Sequence, residues 1–167
     1  TGEIAAVLEN SLLRASIDRY GRLSSLVDKE SGTEWCHAPC NDLRMFKDVP
    51  PRNDAWDIGS MYVETPVELP EPADVTVAAS GPLVAIVKVR RKLHDSSLEQ
   101  EIRLRRGSRR IDFVTRIDWH ERHKLLKAVF PLALKSEDAL HEIQFGHLRR
   151  PAHFSKQSDR DKFEVCA

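Results

Sequence analysis

The sequence has no long hydrophobic run, no net charge and no cysteine framework. No apolar stretch approaches the roughly 20 residues that a membrane-spanning helix needs, and no signal peptide precedes the first predicted strand. The 26 basic residues balance 26 acidic ones, which argues against nucleic acid or an anionic membrane as the main partner. The three cysteines, Cys36, Cys40 and Cys166, are an odd number and therefore do not indicate a disulfide scaffold. Because free thiols suit a reducing compartment, we expect the protein to be cytoplasmic.

Helical periodicity and familiar catalytic motifs are also missing. No segment repeats apolar residues at the spacing of an amphipathic helix, and only Ser136 to Leu140 could form a single helical turn. The sequence contains no nucleophile elbow, phosphate loop or dinucleotide-binding motif. It also lacks an initiator methionine and stops within Phe163–Ala167, a stretch typical of a strand. We therefore expect a fragment of a longer polypeptide.

Apolar and polar residues alternate through the stretch from Gly81 to Leu134. Short polar breaks, such as 94–96 and 107–108, divide it into four blocks that are each long enough for a strand. Alternation with period two is typical of half-buried strands, and breaks this short favour hairpins. The stretch predicts a four-stranded antiparallel meander with one apolar and one charged face. The residues that we expect to be buried between sheets are Leu98, Ile102, Ile111, Phe113, Ile117 and Phe130.

The rest of the chain adds shorter strands and two long irregular segments. The predicted strands cover residues 4–9, 12–18, 23–27, 74–79, 139–145 and 162–165. The irregular segments are Asn41–Pro72, which contains five prolines, and Gly146–Arg160. Residues 1–167 are therefore predicted to form one all-β domain. We expect a large two-sheet antiparallel β-sandwich of the super-sandwich type, with about nine to eleven strands.

Two clusters suggest a metal site, but each has a simpler interpretation. His120-Glu121-Arg122-His123 has its histidines three apart and lies between predicted strands, so a solvated hairpin turn is favoured over a zinc motif. Cys36, His37 and Cys40 offer three soft ligands without a fourth at a familiar spacing, which favours ordinary thiols at a sheet edge. The charged face of the meander is explained by cross-strand ion pairs.

Carbohydrate binding is the most specific chemistry that the residues indicate. Asp54, Trp56 and Asp57 combine an aromatic ring, which can cover a sugar face, with carboxylates that accept hydroxyl protons. Arg149, Arg150 and His153 could donate to hydroxyls. The alternatives are a tryptophan that pins its own loop to the domain and a solvated basic turn. The residues alone do not decide between these interpretations.

Several motifs together resemble one known family. They are LENSLLR (8–14) with DRYG (18–21), NDL (41–43) with DVP (48–50) and DAWDI (54–58), LEQEI (98–102) with SRRIDF (108–113), DWHERHKLLK (118–127) and EIQFG (142–146). This set is similar to the β-rich C-terminal region of family-38 glycoside hydrolases, the α-mannosidases, of the bacterial and cytosolic type. The similarity extends over nearly the whole chain, and the run around His120 is its most specific part.

The resemblance implies a role within a larger enzyme of mannose metabolism. Such enzymes remove terminal α-mannose with retention, using an aspartate nucleophile and a zinc ion in an N-terminal α/β domain. Nothing in this chain matches that domain, so the resemblance assigns it no catalytic residue and no metal ligand. It implies a non-catalytic module that packs on the catalytic domain and contributes loops to the site for a mannose-containing oligosaccharide. The alternatives are a free-standing carbohydrate-binding module and a purely structural interface domain.

The chain departs from the family pattern in both loops expected to reach the sugar. Family members have more aromatic residues where this chain has Gly59-Ser60-Met61-Tyr62. They also have Thr-His and Trp where this chain has Ala152-His153 and Ser158-Asp159. The resemblance leaves linkage preference and homo-oligomer formation open.

Overall fold

A computed structural model of the chain describes residues 3–53, 57–59, 61–69 and 72–153. The described ranges contain twelve strands and a single turn of 3-10 helix at Tyr62–Glu64. The strands are β1 (Ile4–Glu9), β2 (Leu13–Asp18), β3 (Leu23–Asp28), β4 (Asp42–Lys47), β5 (Pro66–Val67), β6 (Asp74–Ser80), β7 (Val84–Leu93), β8 (Ser96–Arg105), β9 (Ile111–Asp118), β10 (Lys124–Val129), β11 (Asp138–Ile143) and β12 (Gly146–Pro151). Within these ranges, no helix has the length and apolar character needed to cross a bilayer.

Within the described part of the chain, all strand pairs are antiparallel, and they form four sheets. One sheet has the order β1-β2-β3, one has β10-β4-β5, one has β6-β7-β8-β9, and β11 pairs with β12. The prediction of an all-β antiparallel sandwich is confirmed.

The predicted meander is right for three strands and wrong for the fourth. β7, β8 and β9 pair consecutively, with Ile102 opposite Val87 on one side and Phe113 on the other. The strand that follows, β10, leaves this sheet and pairs with β4, where Leu126 faces Met45. The fourth strand of the large sheet is β6 instead.

Two three-stranded sheets cover one face of the four-stranded sheet and thereby make a two-layer sandwich. Side chains from β1, β2 and β3 pack with Val87, Val89, Ile102 and Leu104 in the larger core cluster. Met45 on β4 packs with Leu93 and Leu98 at the other end of β7 and β8 in a second cluster. The alternation along β8 therefore places Leu98, Ile102 and Leu104 in the interior, as predicted.

The predicted core is correct along β8 and overextended along β9. Ile111 and Phe113 are half-buried and pack against the larger cluster. Ile117 and Phe130, which were also expected to be buried, are each 44% exposed. The reason is that β9 lies at the edge of its sheet while β10 belongs to another one, so no described strand covers the outer part of β9.

Both segments that were predicted to be long and irregular contain strands in the structure. The first contains β4 and β5, because Asp42–Lys47 pairs with both Pro66–Val67 and Lys124–Val129. Most of the described part of the second is β12. Ser136 to Leu140 does not form a helical turn either, because β11 begins at Asp138. The strand expected at 162–165 lies outside the described residues.

The turn after β2 accounts for the DRYG motif. The buried Asp18 carboxylate accepts the backbone N–H of Tyr20 at 2.9 Å and that of Arg22 at 3.0 Å. Gly21 has a φ of 74°, and a Cβ there would overlap the side chain of Val89. Only glycine satisfies both the left-handed backbone and the close approach of the two layers.

Candidate functional site

The carbohydrate-binding residues predicted from the sequence fall on two separate elements. Asp54 and Trp56 lie outside the described residues. Asp57 is exposed, its N–H donates to the Asn53 carbonyl at 2.9 Å, and its carboxylate accepts the Ile58 N–H at 3.1 Å. These local bonds leave most of the acceptor capacity of Asp57 available for a hydroxyl donor.

The segment that follows Asp57 is fixed to β4 and β10. The Asp48 carboxylate accepts the Gly59 N–H at 2.8 Å. Tyr62 is buried, with its ring perpendicular to Phe46 at 5.2 Å between ring centroids. The Lys127 ammonium lies 4.4 Å from the Tyr62 ring centroid and also donates to its hydroxyl group. The edge-to-face ring contact, the cation–π contact and the hydrogen bonds therefore hold this part of the segment against β4 and β10.

The second predicted group lies on and just beyond β12. Arg149 is exposed and pairs with Asp138 on β11 at 3.2 Å, while Arg150 is half-buried and His153 is exposed. Among the described residues, no hydrogen bond or ion pair joins Asp57 to Arg149. Asp57 and Arg149 thus lie on different segments of the chain, and their shared role in sugar binding stays a prediction.

The connection between β9 and β10 is not the solvated hairpin turn that the sequence suggested. β9 and β10 belong to different sheets, and Glu121 is buried between them. Its carboxylate accepts the Asp95 N–H at 2.8 Å and the Ser96 hydroxyl at 3.2 Å, and it also pairs with Lys124. The hydrogen bond from Lys124 is the main reason why the pKa of Glu121 lies below its ordinary value of 4.5. Glu121 therefore fastens the turn after β7 to the start of β10.

The thiols behave as structural groups. Cys40 is buried, Cys36 is half-buried, and both are free. Burial is the main cause that raises the pKa of Cys36 to about 12, so the thiol stays protonated at neutral pH. Among the described residues, no three histidine, cysteine, aspartate or glutamate side chains lie close enough together to hold a metal ion.

The outer face of the four-stranded sheet carries the cross-strand ion pairs that the sequence predicted. Arg90 on β7 binds Glu99 on β8 at 3.0 Å, and Lys88 reaches the same carboxylate at 3.2 Å. These charges are partly exposed, so each pair is expected to contribute little to stability.

Sequence reasoning missed a buried arginine that lines a cavity of the sandwich. Arg91 follows Val87 and Val89 on the inward face of β7, where it is 9% exposed. It lines a cavity of about 450 Å³ together with Tyr20, Arg22 and Asp42. Burial is the main cause that lowers the pKa of Arg91, with Arg22 adding to the effect and Asp42 opposing it. The sequence signal for this site was Arg91 itself, a charged residue at a position of β7 where the alternation predicts an apolar side chain.

Comparisons with known proteins agree with the resemblance seen in the sequence. The family model described as "Glycosyl hydrolases family 38 C-terminal domain" matches residues 8–167. Alpha-mannosidase 2C1 of Homo sapiens is 39% identical over 168 residues, which cover 98% of this chain and 16% of that protein. Alpha-mannosidase G of Dictyostelium discoideum is 32% identical over 170 residues, which cover 95% of this chain and 15% of that protein.

A solved structure supports the fold. The crystal structure of an alpha-mannosidase from Enterococcus faecalis V583 matches with a TM-score of 0.69 and 14% identity, over 93% of this chain and 20% of that chain. The chain thus spans only about a sixth of the curated relatives and a fifth of this structure. Because the family model covers nearly the whole sequence, the chain belongs to the family of C-terminal domains of family 38 glycosyl hydrolases.

Proposed function

We propose that the chain is a non-catalytic β-sandwich module of a retaining α-mannosidase that acts in the cytoplasm. It supports the catalytic domain and contributes residues to the rim of the mannose site. The match of residues 8–167 to the family model carries this proposal, and relatives that are 39% and 32% identical are named alpha-mannosidases. In this proposal the zinc ion and the aspartate nucleophile belong to a catalytic domain that this chain does not include.

An exposed apolar surface beside β9 and β10 favours the proposal that the module packs against the catalytic domain. Ile117, Trp119 and Leu125 line a groove of about 300 Å³, and Ile117, Trp119 and Phe130 are all more than a third exposed. The ring of Phe130 packs edge-on against Phe113 at 5.6 Å, which continues the apolar surface toward the core. Exposed apolar surface of this kind is typical of a protein interface. We propose that the catalytic part of the enzyme covers it.

The rim residues are Asp54, Trp56 and Asp57 on one segment and Arg149, Arg150 and His153 on the other. Support comes from the exposure of Asp57, Arg149 and His153, since a sugar contact needs accessible groups. The purely structural alternative is favoured by one observation, the pairing of Arg149 with Asp138. The two proposals differ in whether these residues affect kinetics.

Steady-state kinetics of the complete enzyme test whether these residues contact the sugar. A hydrogen bond from a charged group contributes about 1.5–3 kcal/mol, so Asp57→Asn or Arg149→Ala is expected to lower kcat/KM roughly ten- to a hundredfold with an unchanged Tm. Arg14→Ala is the matched control, because Arg14 is exposed on β2 and makes only a 3.7 Å pair with Glu9. Unchanged kcat/KM in both rim variants would leave the module with a supporting role only.

The isolated chain tests the absence of catalysis. We expect the purified 167-residue chain to leave an aryl α-mannoside intact. Hydrolysis that a chelator abolishes would place the active site in this chain and overturn the proposal.

A further inference from the structure

We propose that the cavity beside Arg91 is a binding site for an oxyanion, with Arg91, Arg22 and Arg44 as its cationic wall. The site is lined by residues of the turn after β2, of β4, of β7 and of the segment 63–69, and it shares no residue with the proposed sugar rim. The proposed function does not assign it a role. The inference depends only on the geometry of this chain.

The first argument is the missing partner of Arg91. Its side chain is nine-tenths buried, yet its Nε–H has no hydrogen-bond acceptor among the described residues. An arginine stays charged in proteins, and a buried charge without a partner destabilises the fold strongly. Buried polar groups without a partner are rare and call for an explanation. An anion that enters the cavity would supply the missing acceptor.

The nearby carboxylates cannot fill this role because other donors already occupy them. Asp18 accepts two backbone N–H groups on Oδ1, and its Oδ2 accepts Arg22 Nε at 2.9 Å and Nη2 at 2.8 Å. Asp42 binds Arg44 at 2.9 Å through one oxygen and lies 3.5 Å from Arg22 through the other. Among the described residues, three guanidinium groups thus face two engaged carboxylates, and one positive charge has no carboxylate of its own.

The walls of the cavity indicate the kind of molecule that would fit. Arg91, Arg22, Arg44 and Tyr20 supply donors, Asp42 supplies a carboxylate that Arg22 and Arg44 engage, and the remaining lining is apolar. The apolar lining residues are Leu43, Met45, Phe46, Val63, Pro66, Val67 and Leu69. Guanidinium groups bind carboxylate and phosphate through two parallel hydrogen bonds. The geometry therefore fits a carboxylate or phosphate group, either on a small molecule or on a side chain of the longer polypeptide.

Thermal unfolding of the 167-residue chain in inorganic phosphate, against chloride at matched ionic strength, tests the site. At ten times its Kd, phosphate is expected to raise the Tm by roughly 3–6 °C. Arg91→Gln should abolish this increase. Arg90→Gln is the matched control, because Arg90 lies on the same strand but on the outer face, where it pairs with Glu99. An equal increase in chloride, no increase, or an increase that persists in Arg91→Gln would overturn the proposal.

Calorimetric titration of phosphate gives a readout that does not require Arg91→Gln to fold. Arg44→Gln removes a half-exposed cavity charge and should weaken binding about tenfold. Unchanged affinity in this variant would contradict the site.

The same Tm measurement on the complete α-mannosidase separates the two sources of the anion. An increase in both proteins identifies a free small molecule, whereas an increase in the short chain alone identifies a carboxylate of the polypeptide itself. This last step rests on the proposed function, but binding by the short chain does not.

Discussion

The two ends of the large sheet show how the same sequence pattern gives two different environments. Along β7 and β8, the strands β1, β2 and β3 cover the inner face, and Val87, Val89 and Ile102 are almost completely buried. Toward β9, the cover ends, and Ile117 and Trp119 remain exposed although their alternation continues. Alternation therefore specifies on which face a side chain lies, while coverage of that face depends on strands far away in sequence.

The largest expected effect comes from truncating matched isoleucines at the two ends. Ile102→Ala should destabilise the chain by about 2–5 kcal/mol, because it leaves a cavity in a fully packed region. Ile117→Ala should cost less than about 1 kcal/mol, because the side chain is already 44% exposed. Urea unfolding of both variants measures the difference. Equal costs would show that the two ends do not differ.

Phe113 lies at the boundary between the two ends and should give an intermediate effect. A fully buried phenylalanine would cost about 3–5 kcal/mol on truncation to alanine, but Phe113 is half-buried and packs edge-on against the exposed Phe130. We expect Phe113→Ala to cost about 2 kcal/mol. A double-mutant cycle with Phe130→Ala should give a coupling of about 0.5–1.5 kcal/mol. A coupling of zero would mean that the ring contact does not extend the core.

The smallest expected effect concerns the pH dependence of stability that arises from Glu121, which connects the turn after β7 to the start of β10. The pKa of Glu121 is lower in the folded chain than its ordinary value of 4.5, chiefly because Lys124 donates to it. The unfolded chain therefore takes up the proton first as the pH falls, and the stability contributed by ionised Glu121 is lost as the pH falls through the folded pKa. Glu121→Gln should lower the urea midpoint at pH 7 and flatten its decline below about pH 4.5.

A surface glutamate provides the control for this pH prediction. Glu101 pairs with Arg103 on the same strand and is partly exposed. Glu101→Gln should therefore leave the decline of the urea midpoint at acid pH nearly unchanged. If both variants show the same flattening, Glu121 is not the cause of the loss of stability at acid pH.

Local patterns predicted most of the strands correctly. β1, β2, β3, β6, β7, β8 and β9 agree with the alternation to within a few residues, because each strand has its own period and its own turn. β4 was missed since prolines and carboxylates later in the same segment suggested one continuous loop. The pairing of β10 with β4 could not be deduced, because it depends on which edge is available after the other strands have packed.

The candidate sites show the same limit. Sequence chemistry proposed Asp57 and Arg149 as sugar contacts, and that assignment stays a prediction. The arginine cavity could not be deduced from the sequence, because Arg22 lies in the turn after β2, Arg44 on β4 and Arg91 on β7, and only the fold brings them together. A charged residue at an inward position of β7 was the only local sign.

The pairing of β10 with β4 also has a consequence for synthesis on the ribosome. β1, β2 and β3 are consecutive and can form their sheet as soon as they emerge, whereas β4 must wait for β10 until most of the large sheet has been translated. During that interval a strand that carries Leu43, Met45 and Phe46 lacks its longest partner. Unpaired apolar edges of this kind are prone to aggregate, so the order of translation leaves β4 in need of chaperone protection in the nascent chain.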